Sequence, residues 1–348
     1  MRFYTNNHHY YCGIDLHAGV LYVCILDASG NVAVHQNIPA TSIDLIDVLA
    51  PFLRQDLVVR VECMHCWYWV SDLCRDFKIP FVLGHALYMR AIHGGKAKND
   101  KIDSLKIARL IKGGMFPLAY DYPADMRATR DLLRRREHLM RKRAELLAHI
   151  KNTNSQYNLS AINLNLRYVQ NRAKIKDRFD DPSVQRSMDM DLHLIDFYDH
   201  ELSVIECFIE KQAKQHGYQD YVSLRLIPGI GQILALTILY EIGDIRRFER
   251  VQQFASYARL VKCKAESAGK RYGTSGAKIG NAHLKWAFSE AAVGYLCSPP
   301  PKGQAYLAKL QRRMSKAKAQ SALAHKLGRA VFFMLKRRQV FDETQFLS

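Results

Sequence analysis

The chain has 348 residues, long enough for two domains and a sizeable core. Hydrophobic residues make up 48% and charged residues 24%, a globular rather than a disordered balance. Lys plus Arg number 51 against 33 Asp plus Glu, and the net charge of +18 points to a polyanion, nucleic acid being the commonest. No apolar run approaches ~20 residues, so no membrane span is expected. The first residues do not read as a signal peptide, and no lipid-anchor motif is visible. The eight cysteines are scattered, mostly within apolar segments, and read as reduced core thiols. Cys63 and Cys66 have CxxC spacing, but no second ligand pair follows to complete a zinc site.

Residues 10–16, 19–26 and 31–38 read as three strands, with a hairpin turn at Asp27-Ala28-Ser29-Gly30. Thr41 looks like the cap of an amphipathic helix over residues 43–53. Residues 57–61 form a fourth strand that delivers Glu62 at its end; a helix over 65–77 and a short strand over 80–83 follow. Then comes Lys96 to Asp103, leading into a helical run with Leu105, Ile107, Ala108, Leu110 and Ile111.

Asp100 and Asp103 are three residues apart, so on a helix they share one face. Two like charges that close are costly without a cation between them, and hard divalent cations take carboxylate oxygens. Taken alone, the pair also fits an ordinary helix start, where acidic residues complement the dipole. The element order βββαβαβα places the first and fourth strands side by side in a mixed sheet. Asp15 and Glu62 then meet, and the helix carrying Asp100 and Asp103 can pack across them. Carboxylates converging from separate segments are what two-metal phosphoryl transfer requires. Lys96, Lys98 and Lys101 lie beside them and either contact phosphates or form a solvated basic face.

Residues 125–151 form a long helical pattern, with Leu132, Leu139, Leu146 and Ile150 near heptad spacing and Arg134, Arg135, Arg136, Arg141, Lys142 and Arg143 crowding the other positions. This is a coiled-coil arm, a nucleic-acid face, or both. An Asn-rich stretch over 152–165 breaks it, and a more acidic helix over 188–215 can pair with it antiparallel. His193 and His200 there read as core or surface histidines.

Pro228-Gly229-Ile230-Gly231 resembles a helix-hairpin-helix turn, in which Gly229 and Gly231 let backbone N–H groups approach a phosphate; a Gly-rich helix–helix connection accounts for it equally. The following helix, 232–242, would add its positive end. Farther on come Glu266-Ser267-Ala268-Gly269-Lys270-Arg271 and Lys278-Ile279-Gly280-Asn281-Ala282-His283-Leu284-Lys285. The tail, 306–338, is helical and strongly basic.

The order of elements at the N-terminus resembles the ribonuclease-H-like fold in its Holliday-junction-resolvase (RuvC-like) branch. The segments Gly13-Ile14-Asp15-Leu16-His17, Val61-Glu62 and Asn99-Asp100-Lys101-Ile102-Asp103 are similar to the D-E-D-D pattern of DEDD insertion-sequence transposases, the family that includes the pilin-inversion recombinase. The stretch from Phe254 to Lys285 resembles the C-terminal domain of the same family, whose loop serine attacks DNA. Residue by residue that serine is Ser267, with Ser275 as the second choice. Arg259 stands where the family usually has glycine, Lys262 where it has proline, Ala268 where it has glycine and Lys285 where it has arginine.

The resemblance implies an α/β plus α protein with three parts: a RuvC-like catalytic domain over 8–120, a helical coiled-coil arm over 121–217, and a mostly helical C-terminal transposase domain over 218–348. It implies Mg²⁺ at Asp15, Glu62, Asp100 and Asp103, and a covalent Ser267–DNA phosphate link. Lys264, Lys270, Arg271, Lys278 and Asn281 would contact nucleic acid. Implied partners are donor and target DNA, a noncoding bridge RNA from the element, and further copies of the chain, as a homodimer assembling to a homotetramer whose protomers share an active centre. The setting would be the cytoplasm of a prokaryote, at the nucleoid. A structure-selective Holliday-junction nuclease needs the carboxylates without the serine, and a nucleic-acid-binding scaffold needs neither; both stay open at this point.

Overall fold

The computed structural model describes residues 2–92, 99–262, 266–271, 279–297 and 299–347. It divides into two compact units, Met1–Ala124 and Asp125–Ser348.

The first unit holds, in chain order, β1 (Phe3–Tyr4), β2 (Tyr10–Leu16), β3 (Val20–Asp27), β4 (Val32–Pro39), α1 (Ser42–Leu49), β5 (Leu57–Glu62), α2 (Tyr68–Asp76), β6 (Phe81–Gly84), α3 (Ala86–Ile92), α4 (Asp100–Lys112) and β7 (Phe116–Pro117). The sheet order is β4-β3-β2-β5-β6. The first three strands form an antiparallel meander, and β5 joins β2 in parallel, with Ile14 opposite Val61. The adjacency expected of the first and fourth long strands is present. Strand β2 is buried almost throughout because both faces are covered. One face packs Ile14, Leu16, Val59 and Val61 with Leu45, Leu49 and Val70; the other packs Tyr11, Val58 and Val82 with Ile107 and Ile111 of α4.

Two local features fix α4. Asn99 caps it, its side-chain oxygen accepting from the Ile102 N–H at 2.8 Å. Gly13 lets the helix backbone lie on the strand: a Cβ there would stand 2.4 Å from the Ala108 nitrogen. Arg60 is fully buried on the same face of the sheet, its guanidinium 4.1 Å from the Tyr4 ring centre and 4.3 Å from that of Phe116. These rings belong to the β1–β7 pair, so cation–π contact holds that pair on the sheet. Cys12, Cys24 and Cys74 are buried as core thiols, while Cys63, Cys207 and Cys297 are exposed.

The second unit begins with α5 (Ala124–Gln156) and α6 (Pro182–His216). Both outrun the sequence expectation. Helix α5 continues through Asn152 because Asn154 is buried and donates to the Leu159 and Ser160 carbonyls, holding the turn that follows. Helix α6 starts at Pro182, a residue suited to a first helical turn, with Asp181 accepting from the Ser183 and Val184 amides. The two helices run antiparallel. Arg136 meets Glu206, Arg143 meets Asp199 and His149 meets Asp191, so each step forward along α5 is matched by a step of about two turns back along α6. The Asn-rich connection is a packed cap: Leu166, Ile175 and Phe179 join Ile150, Met188, Leu192 and Ile195 in one core. His193 and His200 are exposed.

The remainder is α7 (Tyr218–Arg225), α8 (Gln232–Ile242), α9 (Val251–Tyr257), the two-residue strands β8 (Glu266–Ser267) and β9 (Lys270–Arg271), α10 (Ala282–Cys297), α11 (Pro301–Arg313), α12 (Lys316–Arg337) and α13 (Glu343–Leu347). Helix α8 is buried at every position from Ala235 to Ile242 and forms the centre of this core. The basic tail is two helices rather than one, parted at Met314 and Ser315, where the backbone turns extended.

Candidate active site

Asp15 lies near the end of β2, opposite Tyr22. Side chains alternate along a strand, so Asp15 shares the α4 face with Tyr11 and Gly13. Glu62 ends β5, one step beyond the Ile14–Val61 pair, and by the same alternation faces the same way as Val58. Asp100 and Asp103 occupy the first turn of α4. That turn is tied down by His35 of β4, whose Nε2 donates to the Lys101 carbonyl at 2.9 Å and whose ring meets Tyr22 edge-on.

His17 completes the group. Its Nε2 is 3.6 Å from Asp15 Oδ2 and 3.6 Å from Asp100 Oδ1. One ligand atom from each of Asp15, His17 and Asp100 lies within 4.8 Å of the others. Burial pushes the Asp15 carboxyl up; His17 counters this, and the charges of Asp100 and Asp103 add to the rise. Asp103 is a quarter exposed, 3.4 Å from Lys106. The strand ends and the helix start thus bring acidic groups and an imidazole together, a donor set suited to a divalent cation. Sequence reasoning left His17 without a role, although its position two residues past Asp15 puts it on the same side of the chain. His35 was also missed; nothing in the local pattern marks it.

The other expected site residues fall into four groups. Lys96, Lys98, Lys278 and the alternative serine, Ser275, lie outside the described residues. Lys101 is exposed beside the carboxylates. Ser267 and Lys270 face each other in register across the β8–β9 hairpin, as Glu266 and Arg271 do; Ala268 and Gly269 form its turn at φ of 50° and 76°. Lys270 is exposed.

Gly229, Gly231 and Asn281 have different surroundings. Gly229 has φ of 87°, and a Cβ there would stand 2.3 Å from the Ala291 carbonyl, so this glycine serves close packing against α10. Gly231 has open space at that position. Asn281 is buried and serves the interior. Its side-chain oxygen accepts from Leu284 N–H at the start of α10, and its amide donates to Glu241 at 2.7 Å. Glu241 also takes Arg134 through two hydrogen bonds, 2.6 and 2.9 Å, and Arg130 at 3.2 Å. Burial pushes the Glu241 carboxyl up, but these donors outweigh it and hold it down at about 2. Most of the basic arm is likewise spent on acids within the unit: Arg136 on Glu206, Arg143 on Asp199, Arg141 on Glu137 and Lys142 on Glu145. Arg135 is exposed.

A mixed sheet with acidic residues at one edge and a helical second unit fits a transposase of the DEDD type, and comparison with known proteins gives that class. The DEDD transposase family model of the IS110 type, described as "Transposase", matches residues 12–158, and the model described as "Transposase IS116/IS110/IS902 family" matches residues 222–308. The chain belongs to the IS110 family of transposases, enzymes that cut and rejoin DNA. It is similar to the transposase for insertion sequence element IS1111A of Coxiella burnetii, 22% identical over 94% of this chain and 90% of that one. It is also similar to the putative transposase y4qE of Sinorhizobium fredii, 27% identical over 63% of this chain and 53% of that one. Among the described residues no helix is long and apolar enough to cross a membrane.

Proposed function

We propose that the first unit is a RuvC-like catalytic domain in which Asp15, Glu62, Asp100 and Asp103 hold Mg²⁺, and that Ser267 attacks DNA to form a covalent phosphate link. The observation that carries this reading is the approach of Asp15 and Asp100, with Glu62 directed to the same face by strand register. A bound divalent cation would supply Lewis acidity to a phosphate oxygen. The chain's own part is placement: Gly13 and Asn99 set α4 on the sheet, and His35 fixes its first turn. A serine hydroxyl is a weak nucleophile and needs activation and positive charge nearby, which Lys270 and Arg271 would contribute.

The partners follow the family: donor and target DNA, a noncoding bridge RNA, and a homodimer assembling to a homotetramer, at the nucleoid. The net charge of +18 supports the nucleic acids. The dimer has support on α6. Met190, Leu194, Phe197, Val204 and Phe208 are all exposed, and they alternate four and three residues apart with Glu201 in the series. That is a heptad seam exposed along one side of α6 among the described residues.

The test is strand cleavage of DNA carrying the element's ends, with RNA co-purified from expressing cells. Denaturing gels should show a protein–DNA adduct that Ser267→Ala abolishes. Cleavage at the unchanged rate by Ser267→Ala, with no adduct in either protein, would favour a nuclease without a covalent intermediate.

A further inference from the structure

Beyond the four carboxylates, the geometry points to His17 Nε2 as a ligand of the same cation, which makes this a mixed nitrogen–oxygen site that favours Mn²⁺ over Mg²⁺. The inference rests on the carboxylate reading above and adds a residue and a metal preference to it.

Nε2 is equidistant from Asp15 Oδ2 and Asp100 Oδ1, at 3.6 Å from each. That is a long contact, looser than a direct hydrogen bond of ordinary length, to both carboxylates at once. Two ligands at roughly 2.1 Å from one ion lie about 3.0 Å apart at a right angle and about 3.4 Å at the tetrahedral angle. The observed separations exceed the right-angle spacing by about 0.6 Å and the tetrahedral one by about 0.2 Å, a gap that a small turn of the half-exposed ring closes. The placement is also built in. His17 follows β2 directly, and its N–H donates to the Val20 carbonyl at 3.1 Å, closing the tight β2–β3 connection. The side chain is about half exposed, so the ring reaches the carboxylates at the open side of the site, where an ion would enter.

Ligand chemistry then separates the metals. Both ions suit carboxylates, but Mg²⁺ dehydrates reluctantly and keeps oxygen ligands, whereas Mn²⁺, a transition metal, gives up a water for one imidazole more readily. A purely carboxylate site would discriminate less.

The experiment uses the full chain and Mn²⁺ as the probe. Mn²⁺ binding is titrated by electron paramagnetic resonance on the wild type, His17→Gln and Asp100→Asn, and the bound ion is examined by electron spin echo for coupling to a ¹⁴N nucleus. The expected result is one Mn²⁺ class with ¹⁴N coupling in the wild type. His17→Gln should lose the coupling and bind Mn²⁺ about tenfold more weakly, with a smaller change for competing Mg²⁺. Asp100→Asn should weaken both metals. Circular dichroism checks that the variants fold. Mn²⁺ bound without ¹⁴N coupling, and with equal affinity in His17→Gln, would overturn the inference and leave the carboxylate site standing; His17 would then be an ion-pair partner of the two aspartates. No Mn²⁺ binding in the wild type, or none sensitive to Asp100→Asn, would overturn both.

Discussion

The Asn281 amide donates to the Glu241 carboxylate at 2.7 Å, inside the second unit, while the other end of the same side chain caps α10. One asparagine thereby ties the start of α10 to the end of α8, and Arg130 and Arg134 reach the same carboxylate from α5. Removing one partner of such a buried set leaves charge uncompensated, at about 3–5 kcal/mol. Glu241→Ala should therefore lose that much stability in denaturant unfolding, and Asn281→Ala less, about 1–2 kcal/mol for a lost cap and bond. An unchanged unfolding midpoint in Glu241→Ala would show the network to be idle.

The same carboxyl gives a pH dependence. Its folded pKa is depressed to about 2 from an ordinary 4.5, so the unfolded chain binds the proton more readily. The stability it contributes is full above 4.5 and is lost as pH falls through 4.5 toward 2. Unfolding midpoints measured across that window should fall with acid more steeply in the wild type than in Glu241→Gln. Parallel curves would contradict the assignment.

Two departures from the family pattern now have a physical description. Arg259 and Ala268 stand at usual glycine positions, and both have left-handed backbone, φ of 54° and 50°. Left-handed backbone costs a non-glycine residue roughly 1–2 kcal/mol. Arg259 offsets this with a hydrogen bond from Nε to the Gly280 carbonyl at 3.0 Å. Arg259→Ala, which keeps the strain and loses the bond, should be less stable than Arg259→Gly by about 1 kcal/mol. Equal midpoints for the two variants would remove strain from the description.

Gly13 tests whether helix placement governs the site. Gly13→Ala drives a methyl into the Ala108 backbone and should cost about 1–3 kcal/mol while moving α4 off the strand. Metal binding should weaken in parallel, although Gly13 carries no ligand. Full-strength Mn²⁺ binding by a folded Gly13→Ala would separate the site from that contact.

The exposed seam of α6 makes a further prediction. Phe197→Glu and Val204→Glu should turn a dimer into a monomer in light scattering, with helix content preserved because both side chains are exposed. A wild-type chain that is monomeric at micromolar concentration would count against dimerisation through α6.

Much of the first unit was legible in sequence because its strands are short apolar runs punctuated by turn residues, as at Asp27 to Gly30, and because Asp100 and Asp103 stand three residues apart at the start of an apolar-periodic run. His35 was not legible, since its partners lie on other elements and no local period marks it; His17 stands two residues past Asp15, but nothing local tells a ligand from a turn histidine. In the second unit, Gly229 and Asn281 carried a motif but not its use. Their spacing is the same whether the backbone faces a phosphate or packs on α10, and only the fold distinguishes the two. The basic arm left its readings open for a related reason: Arg134, Arg136 and Arg143 suit a coiled-coil arm or a nucleic-acid face alike until their acidic partners, far away in sequence, are brought beside them.

The measurement that bears most directly on the whole account is cleavage of supercoiled DNA bearing the element's ends, with its RNA and Mg²⁺ present. It compares the wild type with Asp15→Asn, Glu62→Gln, Asp100→Asn and Asp103→Asn, each shown to be folded. The wild type should cut, and every variant should lose at least about a hundredfold in rate, about 2.7 kcal/mol of barrier. Wild-type rates in Asp15→Asn or Asp100→Asn would contradict the account.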